Sequence, residues 1–107
     1  ANPKHLQIRP GVGPEPVDGQ GALDNSVSYK PTTNSRVGID PTTGDIVVLD
    51  DTNDGTYHGH VETWQQLDQD QQNALKNNGF IDKRGRIIIR DSLGNIIGYG
   101  KNVIKGR

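Results

Sequence analysis

The chain has 107 residues, a net charge of −1, and a hydrophobic fraction of 30%. This length predicts one domain with a modest core, and no stretch approaches the roughly 20 apolar residues of a membrane-spanning helix. The absence of cysteine excludes disulfides, cysteine-based zinc sites and a thiol nucleophile.

Residues 1–25 hold four of the six prolines and show no sustained hydrophobic periodicity. This composition predicts an extended linker or leading segment, followed by one α+β domain at residues 26–107. Within the segment, the stretch HLQI is compatible with a short edge strand.

Alternating apolar and polar residues next predict strands over SVSYK, RVGID, DIVVLD and TYHGHVET. The residues PTTG, at positions 41–44, join RVGID to DIVVLD. Their proline and glycine are typical of a type I turn, so these two strands should form a β-hairpin.

A helical period replaces the strand period after position 62. Five residues fall on one helical face: Trp64, Leu67, Gln71, Ala74 and Leu75. Thr63 is predicted to cap a first turn, Asp68 to cap the main helix, and Gly79 to end it with Phe80 folding back. Two apolar strands, RIIIR and NIIGYG, follow.

This order of elements predicts an α+β fold: a mostly antiparallel sheet with one main helix packed on one face. The low apolar content predicts that the other face of the sheet is open to solvent and available to a ligand.

Charge is also segregated along the chain. Positions 37–75 hold eight acidic residues and no lysine or arginine, whereas the positions after 82 hold seven basic residues and one aspartate. This asymmetry indicates either a polyanion-binding surface or simple solvation.

The stretch TYHGHVETW carries two of the three histidines. Because strand residues alternate between faces, His58, His60 and Glu62 should share one face, and their apolar neighbours should turn inward. Three interpretations stay open: acid/base catalysis with Glu62 orienting an imidazole, a metal site completed by Asp50, Asp51 or Glu62, and a solvated strand. Catalysis is favoured and no metal is assigned, because no further ligand has a compelling spacing.

Hydroxyl and cationic side chains suited to a phosphodiester occur in two places. They are Lys30, Thr32 and Arg36 in YKPTTNSR, and Arg86 and Arg90 on the RIIIR strand. On composition alone, a polar loop between strands is the better explanation of the first group. The second group reaches the histidines only if the two strands are neighbours, which the sequence leaves open.

The chain lacks a phosphate-binding glycine loop, a Gly-x-Ser-x-Gly turn and a His-Glu-x-x-His helix. The remaining chemistry suits metal-free cleavage of RNA, because RNA supplies its own 2′-hydroxyl nucleophile. Such cleavage requires a base, an acid for the leaving 5′-oxygen, and cations near the phosphorane. His60 is preferred over His58 for the central role because it lies nearer Glu62.

The stretches RVGIDPTTGDIVVLDDT and YHGHVETWQQLDQDQQNALKNNGFIDKRGRII carry a family resemblance. They resemble the C-terminal toxin domains of bacterial polymorphic toxins, including the tips of CdiA-type contact-dependent growth-inhibition proteins, and in particular polymorphic toxin type 17. The likeness spans about residues 36–90.

The resemblance implies an endoribonuclease with the compact α+β fold of barnase-like, colicin-type and RelE-type nucleases, acting on tRNA without a cofactor. It implies a secreted or cell-surface-delivered domain that acts in the cytoplasm of a target cell. It also implies a cognate immunity protein, possible dependence on a host factor such as an elongation factor, and an otherwise monomeric domain. His58 and His60 carry over with the complete YHGH motif, whereas Glu62 depends on strand geometry alone. The alternatives are a noncatalytic protein- or nucleic-acid-binding module and a metal-dependent DNase toxin.

Overall fold

The structure, a computed structural model, describes residues 7–9, 15–52, 54–91 and 93–103. The strands in chain order are β1 (Gln7–Arg9), β2 (Val27–Ser28), β3 (Arg36–Ile39), β4 (Ile46–Asp51), β5 (Thr56–Glu62), β6 (Arg86–Arg90) and β7 (Ile96–Asn102). The helices are α1 (Gly19–Asn25) and α2 (Gln69–Asn77), and Trp64–Gln66 form a single 3-10 turn. Over these ranges, neither helix combines the length and apolarity needed to cross a bilayer.

The strands form two sheets. Five of them make a sheet in the order β1-β5-β4-β3-β2, antiparallel except for the parallel β1–β5 pair, and β6 and β7 form a separate antiparallel pair. The predicted hairpin is confirmed as β3–β4, whose turn is closed by the Gly44 amide donating to the Asp40 carbonyl at 2.8 Å. The predicted α+β class is therefore confirmed, in an arrangement consistent with a small nuclease-like fold.

Both faces of the large sheet are covered, so the expectation of one open face is wrong. Along β4, alternate residues enter two different cores. The main core lies under α2 and β6 and contains Ile46, Val48, Leu75 and Ile87 among others. The smaller core lies under α1 and contains Ala22, Leu23, Val47, Leu49 and Tyr57.

The sequence did not predict helix α1, which covers the second face. Its first turn is capped by Asp18, whose Oδ1 accepts from the Gly21 amide at 2.8 Å. A helix of seven residues is too short to be stable alone, so its existence depends on burying Ala22 and Leu23 against the sheet. The division of the chain at residue 25 remains a prediction.

Close contact between α1 and β3 predicts a large effect of a small substitution. A Cβ at Gly38 would lie 2.4 Å from the Ala22 carbonyl oxygen and 2.9 Å from Oδ1 of Asn25. We expect Gly38→Ala to displace α1 and to lower the free energy of unfolding by about 1 to 3 kcal/mol. Gly98→Ala is the matched control, because a Cβ there meets no atom of the described residues within 4 Å. Equal stability of the two variants in urea unfolding would contradict the packing of α1.

A buried carboxylate joins α1 to the β3–β4 turn. Asp40 is fully buried. Its Oδ2 accepts from the amides of Val17 (2.9 Å) and Asp18 (3.0 Å). Its Oδ1 accepts from the amides of Thr42 (2.8 Å) and Thr43 (3.4 Å). One member of the acidic block is therefore structural, because its buried carboxylate accepts hydrogen bonds from four backbone amides.

The predicted helix boundaries are confirmed in α2. Gln71 reaches back to accept from the Asp68 amide at 2.9 Å, as the second half of a capping box. At the other end Gly79 takes a φ of 81°, and the Phe80 amide donates to the Leu75 carbonyl at 2.9 Å. The buried residues of the helix are the predicted Gln71, Ala74 and Leu75.

The turn before β6 is closed by Asp82. Its Oδ1 accepts from the amides of Arg86 (2.8 Å) and Arg84 (2.9 Å), and its Oδ2 accepts from Nε of Arg86 at 2.8 Å. The Arg86 amide is the main reason that the pKa of Asp82 lies below its ordinary value of 3.8.

This lowered pKa predicts an acid-sensitive turn. A carboxylate with a depressed pKa stabilises the folded state above its ordinary pKa, and the contribution disappears as the pH falls through the lowered value. We expect Asp82→Asn to lower the Tm at pH 7, and the difference from wild type to shrink below pH 3.8. Tm values from pH 7 to pH 2 would test this, and a difference that is constant with pH would contradict it.

Candidate functional site

Strand β5 carries the predicted histidines in a regular ladder with β4. The pairs Asp50↔His58, Leu49↔Gly59 and Val48↔His60 are consecutive, so Gly59 introduces no bulge. Tyr57 and Gly59 are buried, whereas His58, His60 and Glu62 are half-buried. The predicted sharing of one face by the two histidines and Glu62 is confirmed.

That shared face is the one occupied by the main core. His60 lies opposite Val48 and Glu62 opposite Ile46, and both partners belong to that core. The imidazoles therefore lie where the core ends, partly sheltered from water, and not on an open face as the sequence suggested. The side chains of His60 and Glu62 are 26% and 24% exposed.

His60 lies between two carboxylates. Its Nε2 is 2.6 Å from Oε2 of Glu62, a short hydrogen bond, while its Nδ1 is 3.6 Å from Oδ2 of Asp50. The second distance exceeds hydrogen-bond length, so Nδ1 is the nitrogen available for proton exchange with a ligand. Asp50 is more exposed, at 54%. The sequence indicated Asp50 as a candidate metal ligand. Its pairing with His58 across the β4–β5 hairpin brings it beside the histidines.

His58 lies opposite Asp50 on the same face and is half-buried. Within the described ranges its ring has no hydrogen bond or ion pair, in contrast to His60. Over the same residues, no group of three His, Asp or Glu side chains is arranged to hold a metal ion.

The first group of predicted phosphate ligands makes other contacts or lies in a turn. Lys30 has its Nζ 3.9 Å from Oδ2 of Asp70, and Thr32 is exposed in a turn. Arg36 pairs with Leu49 and therefore lies on the α1 face, opposite to His60. Its guanidinium donates to Ser26, from Nε to Oγ at 2.6 Å and from Nη2 to the carbonyl at 2.7 Å.

The second group belongs to the small sheet, and β6 pairs with β7 and not with β5. Arg86 is held by Asp82 and lies over the ring of Tyr99, with Cζ 4.3 Å from the centroid. Arg90 donates to the carbonyls of Gly79 (3.2 Å) and Gly94 (2.8 Å). Strands β5 and β6 are therefore not neighbours in a sheet, which the prediction for Arg86 and Arg90 required.

A cleft of about 230 Å³ opens beside the histidine strand. Glu62, the hydrogen-bond partner of His60, forms part of its wall. Trp64 from the 3-10 turn and Lys101 from β7 also line it. Sequence reasoning missed Lys101 because no motif marks it, and its place depends on how the small sheet packs against the end of β5.

Comparisons with known proteins gave a match among solved structures. No family model matches the chain, and no curated protein matches it. The chain is similar to a chain in the crystal structure of a CDI complex from Cupriavidus taiwanensis LMG 19424. The two are 48% identical, with a TM-score of 0.61, over 64% of this chain and 93% of the other.

Proposed function

This chain belongs to the CdiA-type C-terminal toxin domains of contact-dependent growth inhibition (CDI), and on that premise we propose that it is a metal-independent ribonuclease. Membership implies a cognate immunity protein as a partner. The proposed nuclease domain is residues 26–107, and the proposed place of action is the cytoplasm of the target cell.

The observation that carries the proposal is the placement of His60 between Glu62, which also lines the cleft, and Asp50. Glu62 holds Nε2 and fixes the plane of the ring, which leaves Nδ1 to exchange a proton. A half-buried imidazole held in this way favours general acid/base chemistry over the alternative, in which the histidines only solvate the strand.

In the proposed reaction, Nδ1 of His60 accepts the proton of a ribose 2′-hydroxyl. The 2′-oxygen then attacks the adjacent phosphorus, and the bond from phosphorus to the 5′-oxygen breaks. His58, whose ring has no partner among the described residues, donates the proton that the leaving 5′-oxygen requires. The products are a 2′,3′-cyclic phosphate and a 5′-hydroxyl, so the protein needs no nucleophile of its own.

We propose tRNA as the substrate because the sequence resemblance implies it. A host factor such as an elongation factor belongs to the same proposal and is tested by adding target-cell extract. The predicted phosphate ligands Lys30, Thr32, Arg36, Arg86 and Arg90 stay predictions. Lys30 lies near Asp70, Arg36 lies on the other face of the sheet, and the strand that carries Arg86 and Arg90 does not pair with β5.

The test is to incubate the purified domain with total tRNA, ribosomes and duplex DNA, with and without EDTA, and with and without target-cell extract. We expect RNA to be cut in the presence of EDTA, leaving cyclic phosphate ends. Cleavage of DNA alone, or loss of all cleavage with EDTA, would instead favour a metal-dependent DNase. No cleavage in any arm would favour a noncatalytic binding module. Sequencing RNA ends from cells that express the domain would identify the cleaved bond.

A further inference from the structure

We propose that the cleft beside Glu62 binds one ribonucleotide of a single RNA strand, with its phosphate on Lys101 and its base against Trp64. This inference rests on the proposed ribonuclease function and adds a nucleotide subsite and a phosphate ligand that the sequence did not indicate.

The cleft is linked to the candidate catalytic histidine through Glu62. Its walls come from the β3–β4 turn, the end of β5 with the following 3-10 turn, and the small sheet. Glu62 belongs to the wall and is bonded to His60 at 2.6 Å. A nucleotide held in the cleft therefore lies beside Glu62, the carboxylate that holds the imidazole of His60.

An irregularity in the small sheet brings Lys101 to the cleft. Between the pairs Arg86↔Asn102 and Ile88↔Tyr99, β6 contributes one residue and β7 contributes two, which is a β-bulge. Bulges of this kind re-aim side chains and occur next to active sites. Lys101 consequently lines the cleft together with Ile87 of β6.

Lys101 is a cation without a partner in the described part of the chain. It is exposed and forms no ion pair there, unlike Lys30 with Asp70 and Arg86 with Asp82. A phosphate oxygen is the natural acceptor for a lysine ammonium in this position, because charge-assisted hydrogen bonds are stronger than neutral ones.

Trp64 supplies an aromatic surface in the same cleft. It is half-buried against the main core, which holds the indole in place. Nζ of Lys76 lies 5.8 Å from the centroid of its ring. Aromatic side chains next to cations bind the bases of single-stranded nucleic acid without strong sequence preference.

The size and the remaining charge of the cleft limit its occupant. At about 230 Å³ it is smaller than the roughly 300 to 1,000 Å³ of typical small-molecule sites, so it holds no more than one nucleotide and excludes a duplex. Asp45 and Glu62 are acidic members of the wall. Their negative charge disfavours a phosphate beside them, and they can accept hydrogen bonds from a ribose hydroxyl or a base amine.

The experiment uses Trp64, the one tryptophan of the chain, as a fluorescent reporter. The intact chain is titrated with the four ribonucleoside 3′-monophosphates, with the corresponding nucleosides, and with inorganic phosphate. We expect the monophosphates to change the emission. We expect Lys101→Gln to weaken their binding about tenfold, and Lys101→Arg to stay within about threefold of wild type. Lys83→Gln is the matched control, an exposed lysine in the turn before β6, and should bind like wild type.

Cleavage kinetics separate this subsite from the proposed function. We expect Lys101→Gln to raise KM for RNA about tenfold with a smaller change in kcat, because it removes a contact made equally in the ground state and the transition state. If Lys101→Gln cuts RNA with the KM of wild type and binds the monophosphates as wild type does, the subsite is wrong but the ribonuclease function stands. Lysine-dependent binding of monophosphates by a chain that cuts no RNA would support the subsite and overturn the ribonuclease.

Discussion

His60→Ala is expected to lower RNA cleavage by about 100- to 10,000-fold, the range typical of removing a general acid/base group. The substitution removes the only ring that bridges Glu62 and Asp50 in the described structure. It removes no buried core residue, so the Tm should stay close to that of wild type. Single-turnover cleavage of labelled tRNA, together with thermal unfolding, would measure both effects.

Two further variants make this prediction specific. Glu62→Gln preserves the size of the side chain but not its charge, so we expect a smaller loss of cleavage than for His60→Ala. His58→Ala tests the second proton-transfer role. If both histidine variants cut RNA and inhibit growth as wild type does, the assignment of the site to β5 is incorrect.

Asp40→Ala should be the most destabilising single substitution outside the apolar cores, by about 3 to 5 kcal/mol. It removes the acceptor of four backbone amides at a fully buried position. Two of these amides precede α1 and two lie in the β3–β4 turn, so both segments lose their connection. Urea unfolding would measure the loss as a lower midpoint with an unchanged slope.

The matched control for this effect is Asp24→Ala. Asp24 is an exposed aspartate of α1 whose Oδ1, within the described residues, accepts only from the Gln20 side chain, at 2.9 Å. We expect a change of less than about 1 kcal/mol there. Asp40→Asn keeps one accepting oxygen and should fall between the two. A loss for Asp40→Ala no larger than that for Asp24→Ala would mean that water replaces the carboxylate.

The parts of the fold that the sequence predicts well depend on neighbouring residues. The PTTG turn, the Asp68 cap and the Gly79 stop each need only a few adjacent positions, and all three are confirmed. The alternation along β5 is equally local, which is why the common face of His58 and His60 was predictable.

The parts that the sequence does not predict depend on distant contacts. Helix α1 is stabilised by packing against β3 and β4, so its short sequence carries little signal of its own. The separation of β6 and β7 into a second sheet is likewise set by tertiary packing, and it removes Arg86 and Arg90 from the histidine strand. The same packing brings Lys101 to the cleft, where no local pattern indicates it.

The parallel pairing of β1 with β5 has a consequence for the order in which the molecule folds. Gln7 pairs with Thr56 and Arg9 with His58, so about fifty residues separate the two strands, and closing so long a loop is slow. The β3–β4–β5 meander has short connections and should form first. We expect β1 to pair with β5, the strand that carries His58, late in folding, so that this pairing is the last phase of refolding.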